Sequence, residues 1–153
     1  MAPAFVPDGF TAPQGLVSGA FSLEPLGPAH NAADHAAWSA SIEHIRATPG
    51  FEGRDWPPVE GMTPDENLED LRRHAQDFAG RHGFTYTVLG PDDVVVGCVY
   101  VYPAADPRFE ADVRSWVRAD VAHLDAELRT VVAAWLEERW PFERIQYAGR
   151  SDD

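Results

Sequence analysis

Two tyrosines one residue apart, Tyr100 and Tyr102, offer the first chemistry in this chain. They close the run Val99-Tyr100-Val101-Tyr102, and in an extended segment alternate side chains share one face. Both phenols then line a cleft as acids or hydrogen-bond donors, or serve only as half-buried sheet aromatics; the residues alone leave both readings open. The six histidines offer less. His30, Asp34, His35 and His44 gather around one segment, but His30 and His35 miss the four-residue step that sets two imidazoles on one helical face. No metal site is expected. Cys98 lies in the apolar run Val94-Val95-Val96-Gly97-Cys98-Val99 and reads as a buried structural thiol.

Composition limits the partners. The charge is -13 over 153 residues, from 25 acids against 12 bases, and all the bases are arginine. Such a surface repels polyphosphate backbones and anionic membranes, so neither nucleic acid nor membrane is an expected partner. With a single cysteine no intrachain disulfide forms, and a reducing cytoplasm is the expected compartment. The first residues have no basic start and no long apolar stretch, so no secretory leader is expected.

These residues need elements to position them, and the length suits one domain. Residues 1–19 read as an extended arm anchored by Phe5, Val6 and Phe10, residues 20–150 as a single domain, and 151–153 as a tail. Alternation over 21–26 predicts a short strand, with Pro25 tolerable at an edge or strand end. Trp38, Ile42 and Ile45 recur at helical steps within 30–48, which predicts one amphipathic helix stopped by Pro49 and Gly50. Phe51 and Trp56, among Pro57, Pro58 and Gly61, describe a loop pinned by aromatics, of the kind that borders a site.

Thr63-Pro64-Asp65-Glu66 is a helix start with a capping box, followed by the apolar stripe Leu68, Leu71, Ala75 and Phe78. Residues 84–89 and 94–102 flank a turn at Gly90-Pro91-Asp92-Asp93 and predict a hairpin. A third strand follows at 112–118. Leu128, Val131, Val132, Trp135 and Leu136 mark a last helix, and Arg144 to Tyr147 a last strand, parallel to the third across a right-handed crossover.

In its order, and in Phe84-Thr85-Tyr86-Thr87-Val88, Val96-Gly97-Cys98-Val99-Tyr100 and Trp116-Val117-Arg118, the chain from Phe21 to Tyr147 resembles the GNAT family of acyl-CoA-dependent N-acetyltransferases. The resemblance implies an α/β fold: a mixed, mainly antiparallel sheet flanked by helices, short of the usual C-terminal helix and hairpin. It implies transfer of an acetyl group from acetyl-CoA to a small-molecule amine, or a non-catalytic module of the same fold that binds a small ligand or a protein.

By the same resemblance Trp116, Val117 and Arg118 hold the cofactor's pantetheine arm, Tyr100 and Tyr102 stand near the reacting carbon, and His35, Trp38, Trp56 and Tyr86 line the substrate pocket. The family's glycine-bearing pyrophosphate loop has no counterpart here. Ala122 to Glu127 fall across that signature, with Asp125 and Glu127 at the glycine positions, where carboxylates suit a self-capped helix and repel phosphate. The family plan also continues beyond the segment matching Tyr147, so a homodimer covering the last strand edge is an expected partner arrangement.

Overall fold

A computed structural model describes residues 4–148. Its elements are β1 (Leu16–Val17), β2 (Ser22–Pro25), α1 (Asn31–Ser39), α2 (Ile42–Arg46), α3 (Pro64–Ala79), β3 (Phe84–Leu89), β4 (Val95–Pro103), β5 (Ala111–Val117), α4 (Leu124–Arg139) and β6 (Ile145–Tyr147). The strands lie in one sheet in chain order, antiparallel throughout except for the final β5–β6 pair. The fold is the mixed, mainly antiparallel α/β sheet that the resemblance implies. No described helix is long and apolar enough to cross a membrane.

Period-two alternation divides the sheet into two buried faces. On one, Tyr86, Val99, Val101, Val113, Val117 and Tyr147 pack with Leu128, Val132, Trp135 and Leu136 of α4. On the other, Leu26, Leu89, Cys98 and Trp116 pack with Ala37 and Trp38 of α1, Ile45 of α2, Leu71 of α3 and Phe51 of the long loop. Cys98 is fully buried.

Three local expectations change. The helix expected over 30–48 breaks into α1 and α2, because Ser41 takes an extended φ of -133° and turns its hydroxyl to accept the Ala119 N–H at 2.9 Å. The arm contains a strand, β1, that pairs only Ser22 and Leu23 of β2. Pro25 therefore lies beyond that pairing, as the last residue of β2, where its missing N–H costs no ladder bond. The third strand begins and ends one residue earlier than expected, at Ala111 and Val117.

Elsewhere the local chemistry and the structure coincide. Thr63 Oγ1 accepts the Glu66 N–H at 3.1 Å and the Glu66 carboxylate accepts the Thr63 N–H at 2.8 Å, a reciprocal capping box. Gly97 sits opposite Val117, where any Cβ would collide with the Trp116 carbonyl, so glycine lets β4 and β5 close behind the tryptophan. Strand β6 pairs only Ala111, Asp112 and Val113 of β5, which leaves 114–117 without a strand on that side among the described residues.

Candidate functional site

A cavity of about 270 Å³ opens on the α1–α3 face of the sheet. Its floor is Tyr100 and Tyr102 of β4 and Arg114 of β5, and strand register sets Tyr100 between Thr85 of β3 and Arg114, with Tyr102 opposite Asp112 one step along. Phe51, Arg54 and Trp56 of the long loop form one wall, and Asn67, Asp70, His74 and Asp77 of α3 the other. The spacing of those four, at steps of three, four and three, places them on one helical face. That polar stripe runs beside the apolar one along α3.

Tyr100 is the centre of an aromatic cluster. Its hydroxyl accepts the Trp116 indole N–H at 2.9 Å, and Phe51 and Trp56 meet its ring edge-on at 6.1 and 6.2 Å between centroids. Trp56 also lies 5.5 Å from Trp38 and 6.2 Å from Trp116. Burial pushes the Tyr100 phenol well above its ordinary range, so it stays protonated.

Tyr102 works through a chain of hydrogen bonds. Its hydroxyl donates to Asp77 at 2.9 Å, and His74 Nδ1 lies 3.0 Å from the same oxygen and 2.9 Å from the Thr85 hydroxyl. Because Tyr102's single hydrogen goes to Asp77, a bond between His74 and that oxygen requires the hydrogen on Nδ1, which leaves Nε2 as the nitrogen with a lone pair. Burial lowers the His74 pKa to about 4, so the ring is neutral at pH 7. Burial also raises the Tyr102 phenol. Gly83 lies beneath the Tyr102 ring, where a Cβ would strike it.

Asp34 carries the least comfortable charge in the cavity. Only 4% exposed, it accepts a hydrogen bond from Asn67 Nδ2 at 3.1 Å, and Asn67 accepts the Trp38 indole N–H at 3.0 Å. Desolvation outweighs that hydrogen bond and raises the Asp34 pKa to about 6. No cluster of three or more metal-ligating side chains occurs among the described residues.

The residues singled out by sequence separate accordingly. Tyr100, Tyr102 and Trp56 meet on the cavity wall. Trp38 and Trp116 are fully buried behind it. His35 stands further back, its Nε2 2.6 Å from the Met62 carbonyl and its ring edge-on to Trp38. Tyr86 is on the opposite face: it packs against Trp135, and its hydroxyl donates to the Pro13 carbonyl at 2.7 Å. Position 86 pairs with Val99, out of phase with Tyr100, so it cannot share the cavity. Val117 likewise packs toward α4. Asn67, Asp70, His74, Asp77, Arg54 and Arg114 were not singled out by sequence, and Asp34 only among the histidines of its segment; Arg114 alternates with Asp112 and Trp116 on β5, in the phase opposite Val113 and Val117.

Several backbone amides of the segment after β5 are already engaged. The Ala119 N–H goes to Ser41, and those of Val121, Ala122 and Asp125 go to the carbonyls three residues back. Arg118 is held by Asp120, at 2.9 and 2.6 Å, and by the Val95 carbonyl. Asp125 does not cap α4 as expected. The cap position is His123, without a side-chain bond, and Asp125 instead pairs with Arg129 at 2.8 Å, one turn along the helix.

No protein-family model and no curated protein matches the chain in sequence. Solved structures do match in fold. The ribosomal-protein-S5-alanine acetyltransferase from Vibrio fischeri superposes with a TM-score of 0.67 at 11% identity, over 87% of this chain and 72% of that one. A ribosomal L7/L12 alpha-N-protein acetyltransferase in complex with coenzyme A gives 0.60 at 14% identity, over 78% and 65%. A spermidine N-acetyltransferase chimera from Vibrio cholerae and a second sequence gives 0.58 at 11% identity, over 84% and 70%. The architecture is that of the GNAT acetyltransferases.

Proposed function

We propose that this domain binds a small cationic amine in the cavity beneath α3, on a GNAT fold that has given up the family's pyrophosphate cradle. The observation that carries the reading is the joining of aromatic faces with carboxylates in one small cavity: Phe51, Trp56 and Tyr100 with Asp34, Asp70 and Asp77. Ring faces attract a desolvated cation, and a buried carboxylate recovers lost solvation when a cation arrives beside it. The fold's neighbours supply precedent, since one is named for acetylating spermidine.

The residues do not fit the pyrophosphate of coenzyme A. A phosphate cradle needs bare amides at a helix start, and here those of Ala119, Val121, Ala122 and Asp125 are already bonded. Asp120, Asp125 and Glu127 add charge of the wrong sign, and Arg118 is engaged by Asp120. Amine acetylation is the second reading, favoured by the unpaired stretch 114–117 of β5, along which Trp116, Val117 and Arg118 would receive a pantetheine arm. In that reading Tyr100 and Tyr102 stand at the reacting centre as hydrogen-bond donors.

Isothermal titration separates the two. Neither acetyl-CoA nor free CoA is expected to give heat at concentrations up to about 1 mM, the weak limit of specific binding. Micromolar binding of either would reinstate acetyl transfer.

A further inference from the structure

The cavity is charged at both ends, with opposite signs. On the β5 side, Arg54 Nη2 and Arg114 Nε approach the same oxygen of Asp112, at 3.8 and 3.4 Å. Two guanidiniums thus share one carboxylate, and one positive charge is left over. Neither approach is a good hydrogen bond: the first is too long, and the Arg114 Nε is off line, buried, and without a hydrogen-bond partner among the described residues. Burial lowers the Arg114 pKa and raises that of Asp112, the mark of a charge pair short of solvation. Phe51 holds the Arg114 guanidinium over its ring at 6.0 Å, so the cation is fixed beside the cavity.

On the α3 side the excess is negative. Arg73 is paired with Asp70 at 2.9 Å. Asp77 and Asp34 have only neutral hydrogen-bond donors, the Tyr102 hydroxyl and the Asn67 amide, and no ion pair among the described residues. The aromatic faces of Trp56 and Tyr100 join the two ends. The volume, about 270 Å³, lies below the range of about 300–1,000 Å³ typical of drug-sized ligands.

We propose that the cavity selects a small zwitterion of amino-acid size, its ammonium group on the Asp34 and Asp77 side and its carboxylate on Arg114 and Arg54. A guanidinium fork matches a carboxylate in shape and charge, and the ligand would supply the second anion that two guanidiniums sharing Asp112 lack. A simple alkylamine would satisfy one end and leave the arginines short of an anion. The inference rests on the amine-binding reading and narrows it.

The test uses the full chain and three matched series: ω-amino acids from glycine to 6-aminohexanoate, n-alkylamines of the same lengths, and n-alkanoates of the same lengths. The best ω-amino acid is expected to bind at least about tenfold more tightly than its alkylamine, the worth of a charge-assisted hydrogen bond. Arg114→Gln should erase that preference. Arg54→Gln, at a more exposed position, should reduce the preference and guards against a folding defect in the first variant. Alkylamines binding as tightly as their zwitterions, or a preference untouched in both variants, would overturn the zwitterion while leaving amine binding intact. No binding by any alkylamine or ω-amino acid would overturn both.

Discussion

Asp34→Asn is expected to make the domain more stable at pH 8, against the usual direction of a buried-residue substitution. The Asp34 pKa is raised from 3.8 to about 6, so the folded state holds its proton more tightly than the unfolded chain does. A raised folded pKa means stability that is fully present below pH 3.8 and lost as pH rises through about 6. A shift of about two units corresponds to about 3 kcal/mol carried as a cost at neutral pH, worth roughly 6–12 °C in a domain of this size. Asparagine is isosteric and still accepts the Asn67 hydrogen bond.

His74 acts in the opposite sense. Its pKa falls from 6.5 to about 4 on burial, so its contribution is present above pH 6.5 and lost as pH drops toward 4. In the unaltered protein the two groups offset each other across that window. In Asp34→Asn only the histidine remains, and stability should fall steeply between pH 6.5 and 4. The variant's advantage in urea unfolding should be largest at pH 8 and absent below about pH 4. A variant less stable than the parent at pH 8 would refute the assignment. An advantage that persisted undiminished at pH 3.5 would do the same. The substitution should also weaken amine binding, as expected where a destabilising charge is held for a ligand.

Trp116→Ala should carry the largest stability loss. The side chain is fully buried, and large-to-small changes at such sites cost about 3–5 kcal/mol. Its indole N–H is the donor to Tyr100, whose hydroxyl would lose that partner in a buried setting. Trp56 would lose one of the rings that hold it over the cavity. Trp116→Phe keeps most of the volume and removes the N–H, so it should fold, at a cost of about 1–3 kcal/mol. Denaturant midpoints measure both. A Phe variant as stable as the parent would show that the Trp116–Tyr100 bond does not organise the site.

How much of this was legible in the sequence depended on which residues carried the signal. The helix start at Thr63 and the parallel β5–β6 pair rest on local chemistry and chain order, and both were readable. The break at Ser41 was not, because it is made by a backbone amide 78 residues away in sequence. Tyr86 was misplaced for a reason of register: an apolar strand buried on both faces hides which phase meets α3, and only the pairing with Val99 decides it. The two charged ends of the cavity come from four separate segments, and no single-segment pattern reports them. The polar stripe of α3 was the exception, since Asn67, Asp70, His74 and Asp77 announce a wet helical face inside the fold.

The five tryptophans divide between the two faces of the sheet, which turns their indole N–H resonances into a map of where a ligand sits. Trp38, Trp56 and Trp116 surround the cavity side, and Trp135 of α4 and Trp140 at its end pack on the opposite face. The most direct test is an amide and indole NMR titration of the labelled chain with n-butylamine and its ω-amino acid counterpart. A saturable shift of the Trp56 indole, with smaller movement at Trp116 and Trp38 and none at Trp135 or Trp140, is the predicted result. Shifts confined to Trp135 and Trp140, or a Trp56 resonance unmoved at saturating ligand, would contradict amine binding in this cavity.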